Sequence, residues 1–218
     1  MEPFIRSDQY NFIRTQIQVL VNAHSTVNDR IVLRALKSLT HEKVFNMFSD
    51  INEEQIQLLS LIITIEDKSK AEKVLAQIKP YVFPFKKISE QAIKKLFPKA
   101  KKLKMPILEN LDLTEITYLG WDDIGSNKKY IVTYYNQKLI GLQGTFNLVN
   151  KKGICTFCHK FEEIGMFMTK TKGADQGTFI KRGNYICKDS RKCNENITSL
   201  NKLHEFIQLV NGNGVLQC

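Results

Sequence analysis

Four cysteines carry the clearest chemistry in this sequence. Two residues separate Cys155 from Cys158, five separate Cys187 from Cys193, and twenty-eight lie between the pairs. Thiolates two residues apart can turn toward one ion, and zinc takes four such ligands in a tetrahedron at about 2.3 Å. Gly153 stands just ahead of the first pair, where a tight knuckle is expected. A redox reading of Cys-Thr-Phe-Cys calls for a strand–helix–strand setting, which the residues around Cys155 do not offer. His159 and His204 are rival nitrogen ligands, but four sulfurs already fill a zinc shell. A closed shell has no open position for water, so one structural Zn2+ is predicted rather than a catalytic one. Lys160, Lys188, Arg191 and Lys192 are placed to offset the negative charge of four thiolates.

No set of residues suited to catalysis accompanies the cysteines. Asp122 and Asp123 are adjacent, so a strand would point them to opposite faces and a turn would use them as caps. There is no phosphate-cradling glycine loop, no nucleophile elbow and no deaminase-type His-x-Glu. An enzyme is therefore not expected, and a metal-dependent hydrolase is the least favoured reading. Between the cysteine pairs lies a basic hairpin with Lys170, Lys172, Lys181, Arg182 and Lys188, interleaved with Phe179 and Tyr185. Cations among aromatics suit phosphates or acidic side chains.

Elements must position these groups. Tyr10, Ile13, Ile17, Leu20, Val21 and His24 recur at helical spacing, and Val32, Ala35, Leu36 and Leu39 repeat the pattern. Asn52 with Gln55, and Asp67, read as helix caps ahead of further apolar periods. About four helices closed by Pro80 and Pro84 predict an antiparallel bundle. Ser89 caps a short helix with Ala92, Ile93, Leu96 and Phe97, inside a stretch from Lys86 to Lys104 holding eight lysines and one acid. After residue 114 the period shifts to that of strands. Tyr130–Tyr135, a turn at Asn136-Gln137-Lys138, and Leu139, Ile140 and Leu142 predict a hairpin or meander. Met166–Lys170, Thr178–Arg182 and Tyr185–Cys187 are further strands, and a last helix over 198–210 is capped by Thr198. Cys218, in the tail, reads as a free thiol.

The predicted fold class is α+β. It comprises a helical bundle over 1–85, a basic helix and connector over 86–113, and an α/β domain with a treble-clef-like four-cysteine finger over 114–218.

The 218 residues carry a net charge of +10, which is unevenly spread. Residues 1–85 are neutral, while 86–150 and 151–218 each carry +5. Such asymmetry points to an acidic partner, whether nucleic acid or protein. The N-terminus lacks the pattern of a signal peptide, and the apolar run Leu58–Ile65 is far short of the roughly 20 residues a bilayer needs. A cytoplasmic, monomeric protein without a membrane partner is expected, and in that compartment cysteines read as metal ligands or free thiols rather than disulfides.

Several stretches resemble the FusB-type fusidic acid resistance proteins, also called elongation factor G-binding proteins. They are Asp8-Gln-Tyr-Asn-Phe-Ile-Arg14, Tyr118-Leu-Gly-Trp-Asp-Asp123, Ser126-Asn-Lys-Lys-Tyr-Ile-Val132, Lys152-Gly-Ile-Cys-Thr-Phe-Cys158, Lys181-Arg-Gly-Asn-Tyr-Ile-Cys-Lys-Asp-Ser190 and Cys193-Asn194. The resemblance implies a helical N-terminal bundle and a four-cysteine treble-clef finger. It also implies binding to elongation factor G and its release from ribosomes on which fusidic acid has trapped it, without modification of the drug. By position it places the contact surface at Ile154, Arg182, Tyr185 and Phe206, with Lys181 beside them. Arg182 stands where lysine is usual, and Ile154 where an aromatic is expected. The alternative is a zinc-ribbon protein that binds ribosomal RNA or other nucleic acid directly, through Lys86–Lys104 and the basic hairpin. Under the lead reading the ribosome is an indirect partner, with that lysine stretch its possible direct contact.

Overall fold

The computed structural model describes residues 1–100, 103–106, 108, 111–172 and 178–211. Cys218, Lys101 and Lys102 of the basic connector, and the side chain of Lys172 fall outside the described residues. The chain divides into two compact units, Met1–Pro84 and Phe85–Cys218.

The first unit is helical: α1 (Ser7–Thr26), α2 (Arg30–Phe45), α3 (Glu53–Ser60) and α4 (Lys68–Ile78). Its core gathers Tyr10, Ile13, Ile17 and Leu20 of α1 with Val44, Leu59, Ile62, Ala71, Val74 and Ile78. The caps read from the sequence are present. Asn52 and Gln55 satisfy each other's backbone N–H groups at 3.0 and 2.9 Å, and Asp67 accepts from Lys70 N–H at 2.8 Å. The expected inward face of α2 is corrected. Val32 and Leu39 are exposed, and α2 buries Thr40 and Val44 instead. Two apolar stripes overlap on this helix, and the one ending in Val44 turns inward.

The second unit is built on five antiparallel strands in sequence order: β1 (Leu119–Asp123), β2 (Lys128–Tyr135), β3 (Lys138–Ile154), β4 (Phe161–Lys172) and β5 (Phe179–Cys187). Asn136 and Gln137, both left-handed (φ 47° and 63°), make the two-residue turn between β2 and β3. The strand β5 is continuous through Gly183, where a side chain would strike the carbonyl of Phe167 on β4. One face of the sheet is covered by α5 (Glu90–Leu96), whose Ile93, with Phe97, packs on Leu119, Trp121, Tyr130 and Val132. The stretch 86–113 is therefore not a separate connector: buried Ile93 and Phe97 make it part of this unit. The other face carries α6 (Ser190–Asn196) and α7 (Asn201–Asn211), with Leu203, Phe206, Ile207 and Val210 packed toward Ile131, Leu142, Phe146 and Phe167. The predicted Thr198 cap gives way to Ser199, whose hydroxyl accepts from Asn201 N–H at 3.3 Å.

Candidate metal centre and binding face

The four cysteines come from three places on this scaffold. Cys155 and Cys158 sit on the turn between β3 and β4, Cys187 ends β5, and Cys193 lies in α6. The turn closes by Cys155 N–H donating to the Lys160 carbonyl (3.1 Å) and His159 N–H to the Cys155 carbonyl (2.9 Å). The left-handed residue of the knuckle is His159 (φ 56°), not Gly153. Gly153 is in β3, and its missing side chain leaves room for Ile164. Asp189 caps α6, accepting from Arg191 and Lys192 N–H at 2.8 and 3.2 Å, and so aims Cys193 at the knuckle.

All four sulfurs are buried and lie within 4.8 Å of one another. Cys155 and Cys193 are 3.8 Å apart, and Cys158 and Cys187 are 3.7 Å apart. A disulfide would bring sulfurs to about 2.05 Å, whereas a zinc–sulfur tetrahedron with bonds of about 2.3 Å has edges of about 3.8 Å. The donor set thus fits a tetrahedral, thiolate-bound zinc. The Cys155 and Cys158 thiols are both held below their ordinary range by their sulfur neighbours. The Cys155 sulfur lies 3.8 Å from that of Cys193 and accepts from the backbone N–H of Phe157 and Cys187, both at 3.3 Å. Cys187 and Cys193 are pushed up, first by donating to Cys155. The four thiols are coupled, and a divalent metal lets all four ionise.

His159 is exposed, and His204 packs edge-on against Tyr135 at 5.2 Å. Three of the cations placed to offset the cluster are held by acids: Lys188 by Glu163 (3.0 Å), Lys192 by Glu162 (2.7 Å) and Arg191 by Glu195 (3.6 Å). Asp122 receives Lys129, a fully buried lysine whose ammonium also donates to the Lys188 carbonyl at 2.8 Å and lies 4.5 Å from the Phe146 ring centre. Asp123 accepts from Ser126 at 2.7 Å.

The predicted contact residues separate. Tyr185 and Lys181 are opposite Met166 and Lys170 on β4, so they share the sheet face that α5 leaves open beyond β3. Lys170 lies 3.8 Å above the Phe179 ring centre on the same face. Arg182 points the other way and donates to the Leu209 carbonyl near the end of α7 at 3.3 Å. Phe206 is corrected from contact residue to core: it is 1% exposed and packs edge-on against Phe157 at 4.9 Å. Ile154 is 57% exposed, and its cross-strand partner Phe161 is 64% exposed. The knuckle runs beside Tyr185, whose carbonyl accepts from Thr156 N–H at 2.9 Å. Phe161, Met166 and Met168 were not singled out in the sequence. Strand register alone reveals them, and it sets an exposed aromatic, Phe161, directly across from Ile154.

These features define a metal-built binding domain joined to a helical one, and the comparisons agree. Residues 4–86 match the family model for the N-terminal part of elongation factor G-binding proteins, and residues 93–209 match that of the FBP C-terminal treble-clef zinc finger. The chain belongs to the FusB-type, elongation factor G-binding family. The solved structure of the fusidic acid resistance protein FusC is similar over 94% of this chain and 97% of that one, with 33% identity and a TM-score of 0.81. No curated protein sequence matches the chain.

Proposed function

We propose that this protein binds elongation factor G through its zinc unit, promotes the factor's release from the ribosome, and so gives resistance to fusidic acid by protecting the drug's target. The observation that carries the reading is the exposure of Tyr185, Lys181, Ile154 and Phe161 on the strands that lead into the cysteine centre. One structural zinc, at Cys155, Cys158, Cys187 and Cys193, supplies rigidity and no reaction step. The protein acts by binding, as a cytoplasmic monomer. The +10 charge suits an acidic face on the factor and speeds encounter. Release follows if the chain binds the free form of the factor better than the trapped one, because a binder shifts an equilibrium only by its differential affinity. Arg182 contributes through the end of α7 that it holds.

Direct contact with the ribosome through Lys86–Lys104 is a separate proposal, and ribosome profiles in rising salt test it. The main reading is tested by sedimenting ribosomes stalled with elongation factor G and fusidic acid. The zinc-loaded protein is expected to move the factor into the supernatant, and a Tyr185→Ala, Lys181→Ala variant to leave it with the ribosomes. A factor that stays bound in the presence of excess wild-type protein would overturn the release mechanism.

A further inference from the structure

Tyr118 immediately precedes β1, and three contacts hold it against the metal centre. The Asn194 side chain accepts from Thr117 N–H (2.7 Å) and Tyr118 N–H (3.0 Å) and donates to the Tyr118 carbonyl (2.9 Å). Asn194 follows Cys193 directly, so the backbone of Tyr118 is tied to the helix that carries a ligand. The Tyr118 ring packs edge-on against Phe157, between the two knuckle cysteines, at 5.4 Å. Gly120 makes room for this arrangement: a side chain there would collide with Ser190 and the Tyr118 ring.

The Tyr118 hydroxyl is buried and has no hydrogen-bond partner, sulfur acceptors included, among the described residues, and the hydroxyl of Ser190 has none either. Leaving two buried hydroxyls unpaired is costly. A phenylalanine would fill the same space without that penalty. Tyr118 shares one buried core with Cys155, Cys158, Cys187 and Cys193, and burial first, then the Cys193 sulfur, push its phenol well above the ordinary range. Ser190 precedes Cys193 by one helical turn, and the two share a face of α6.

We propose that Tyr118 is a positioning residue of the zinc site: its hydroxyl donates a hydrogen bond to the Cys193 thiolate when metal is bound, with Ser190 donating in turn to the Tyr118 oxygen. The donor spreads the negative charge of a four-thiolate centre and fixes the orientation of Cys193. Partners of this kind typically change metal affinity by about 10–100-fold.

The test is Tyr118→Phe, which keeps the ring and removes only the hydroxyl. Zinc transfer to a chromogenic chelator is expected to be roughly tenfold faster, with Ser190→Ala showing a smaller effect in the same direction. In the cobalt-loaded protein the thiolate-to-metal charge-transfer band is expected to shift in Tyr118→Phe. Simple loosening of packing would not produce that shift in a variant that melts like wild type. Zinc transfer within twofold of wild type together with an unmoved cobalt band would overturn the proposal. Should the variant fail to fold, proton NMR of the cadmium-113-loaded wild type decides. A slowly exchanging Tyr118 hydroxyl proton coupled to the metal supports the bond, and an uncoupled, rapidly exchanging one refutes it.

Discussion

In Met1–Pro84, which contains no cysteine, an apolar core from Ile5 to Val82 is joined by the buried polar side chains of Ser7, Asp8, Gln9, Asn11 and Thr40, whereas the largest core of Phe85–Cys218 includes four cysteine sulfurs among its buried members. The helical unit is held by apolar packing, its caps and buried polar contacts such as Gln9 to the Met47 carbonyl at 2.8 Å. The second unit adds a metal, because its knuckle and the short α6 bury too little surface to hold themselves. The lesson is that in the second unit the fold and the proposed binding face share one support, which the first unit is expected to do without.

Removing the metal is the strongest way to break that comparison. Chelation, or Cys193→Ala, is expected to unfold the zinc-bearing part of the second unit, since structural zinc supplies on the order of 10–16 kcal/mol at neutral pH. The helical unit should stay folded. Two-dimensional NMR would show peaks of residues 4–84 in place while those around 155–193 collapse. Uniform collapse of both units would contradict the separation.

The converse experiment is Leu20→Ala, at a position 1% exposed in the first unit. A loss of about 2–5 kcal/mol is expected from transfer and cavity terms, read by chemical denaturation followed at the helices. Zinc affinity should not change.

Lys129→Ala sharpens the picture inside the second unit. Its ammonium joins Asp122 to the carbonyl of Lys188, next to Cys187. A loss of about 2 kcal/mol is expected, at the modest end because Asp122 is partly exposed and can be solvated. Denaturant midpoints of the second unit would report it.

The smallest effect is expected for Glu163→Gln. Lys188 holds the Glu163 carboxyl below its ordinary range, but the pair is exposed and screened. A lowered pKa means that any contribution is present above the ordinary carboxylate value and is lost as pH falls through the lowered one. The melting temperature at neutral pH should be indistinguishable from wild type in physiological salt, and the two melting curves should stay superposed into acid.

Much of this was legible in the sequence, for physical reasons that differ by element. The caps Asn52, Asp67 and Ser89 act within three residues, so local chemistry announces them. The cysteine spacing marks the metal site because few other arrangements require it. The facing of α2 was not legible: Val32 and Leu39 keep helical period on the outer side, and only packing decides between two stripes. Helix α6 was missed because it buries only Cys193 and Asn194 and so has no apolar period, although Asp189 is its cap. The far half of β3 escaped notice because Asn147, Asn150, Lys151 and Lys152 are polar, and its strand form comes from pairing with β4. Phe206 had the period of a core residue, alongside Leu203, Ile207 and Val210, and the structure puts it there.

The central claim, that the metal-built unit grips elongation factor G through its open strand face, is tested most directly by calorimetry. Purified factor would be titrated into the zinc-loaded wild type and into a Tyr185→Ala, Lys181→Ala variant with confirmed zinc content and unchanged melting. One-to-one binding by the wild type, weakened by tenfold or more in the variant, is the predicted result. Equal affinity in both would contradict the assigned face, and no binding by a folded, zinc-loaded wild type would contradict the partner itself.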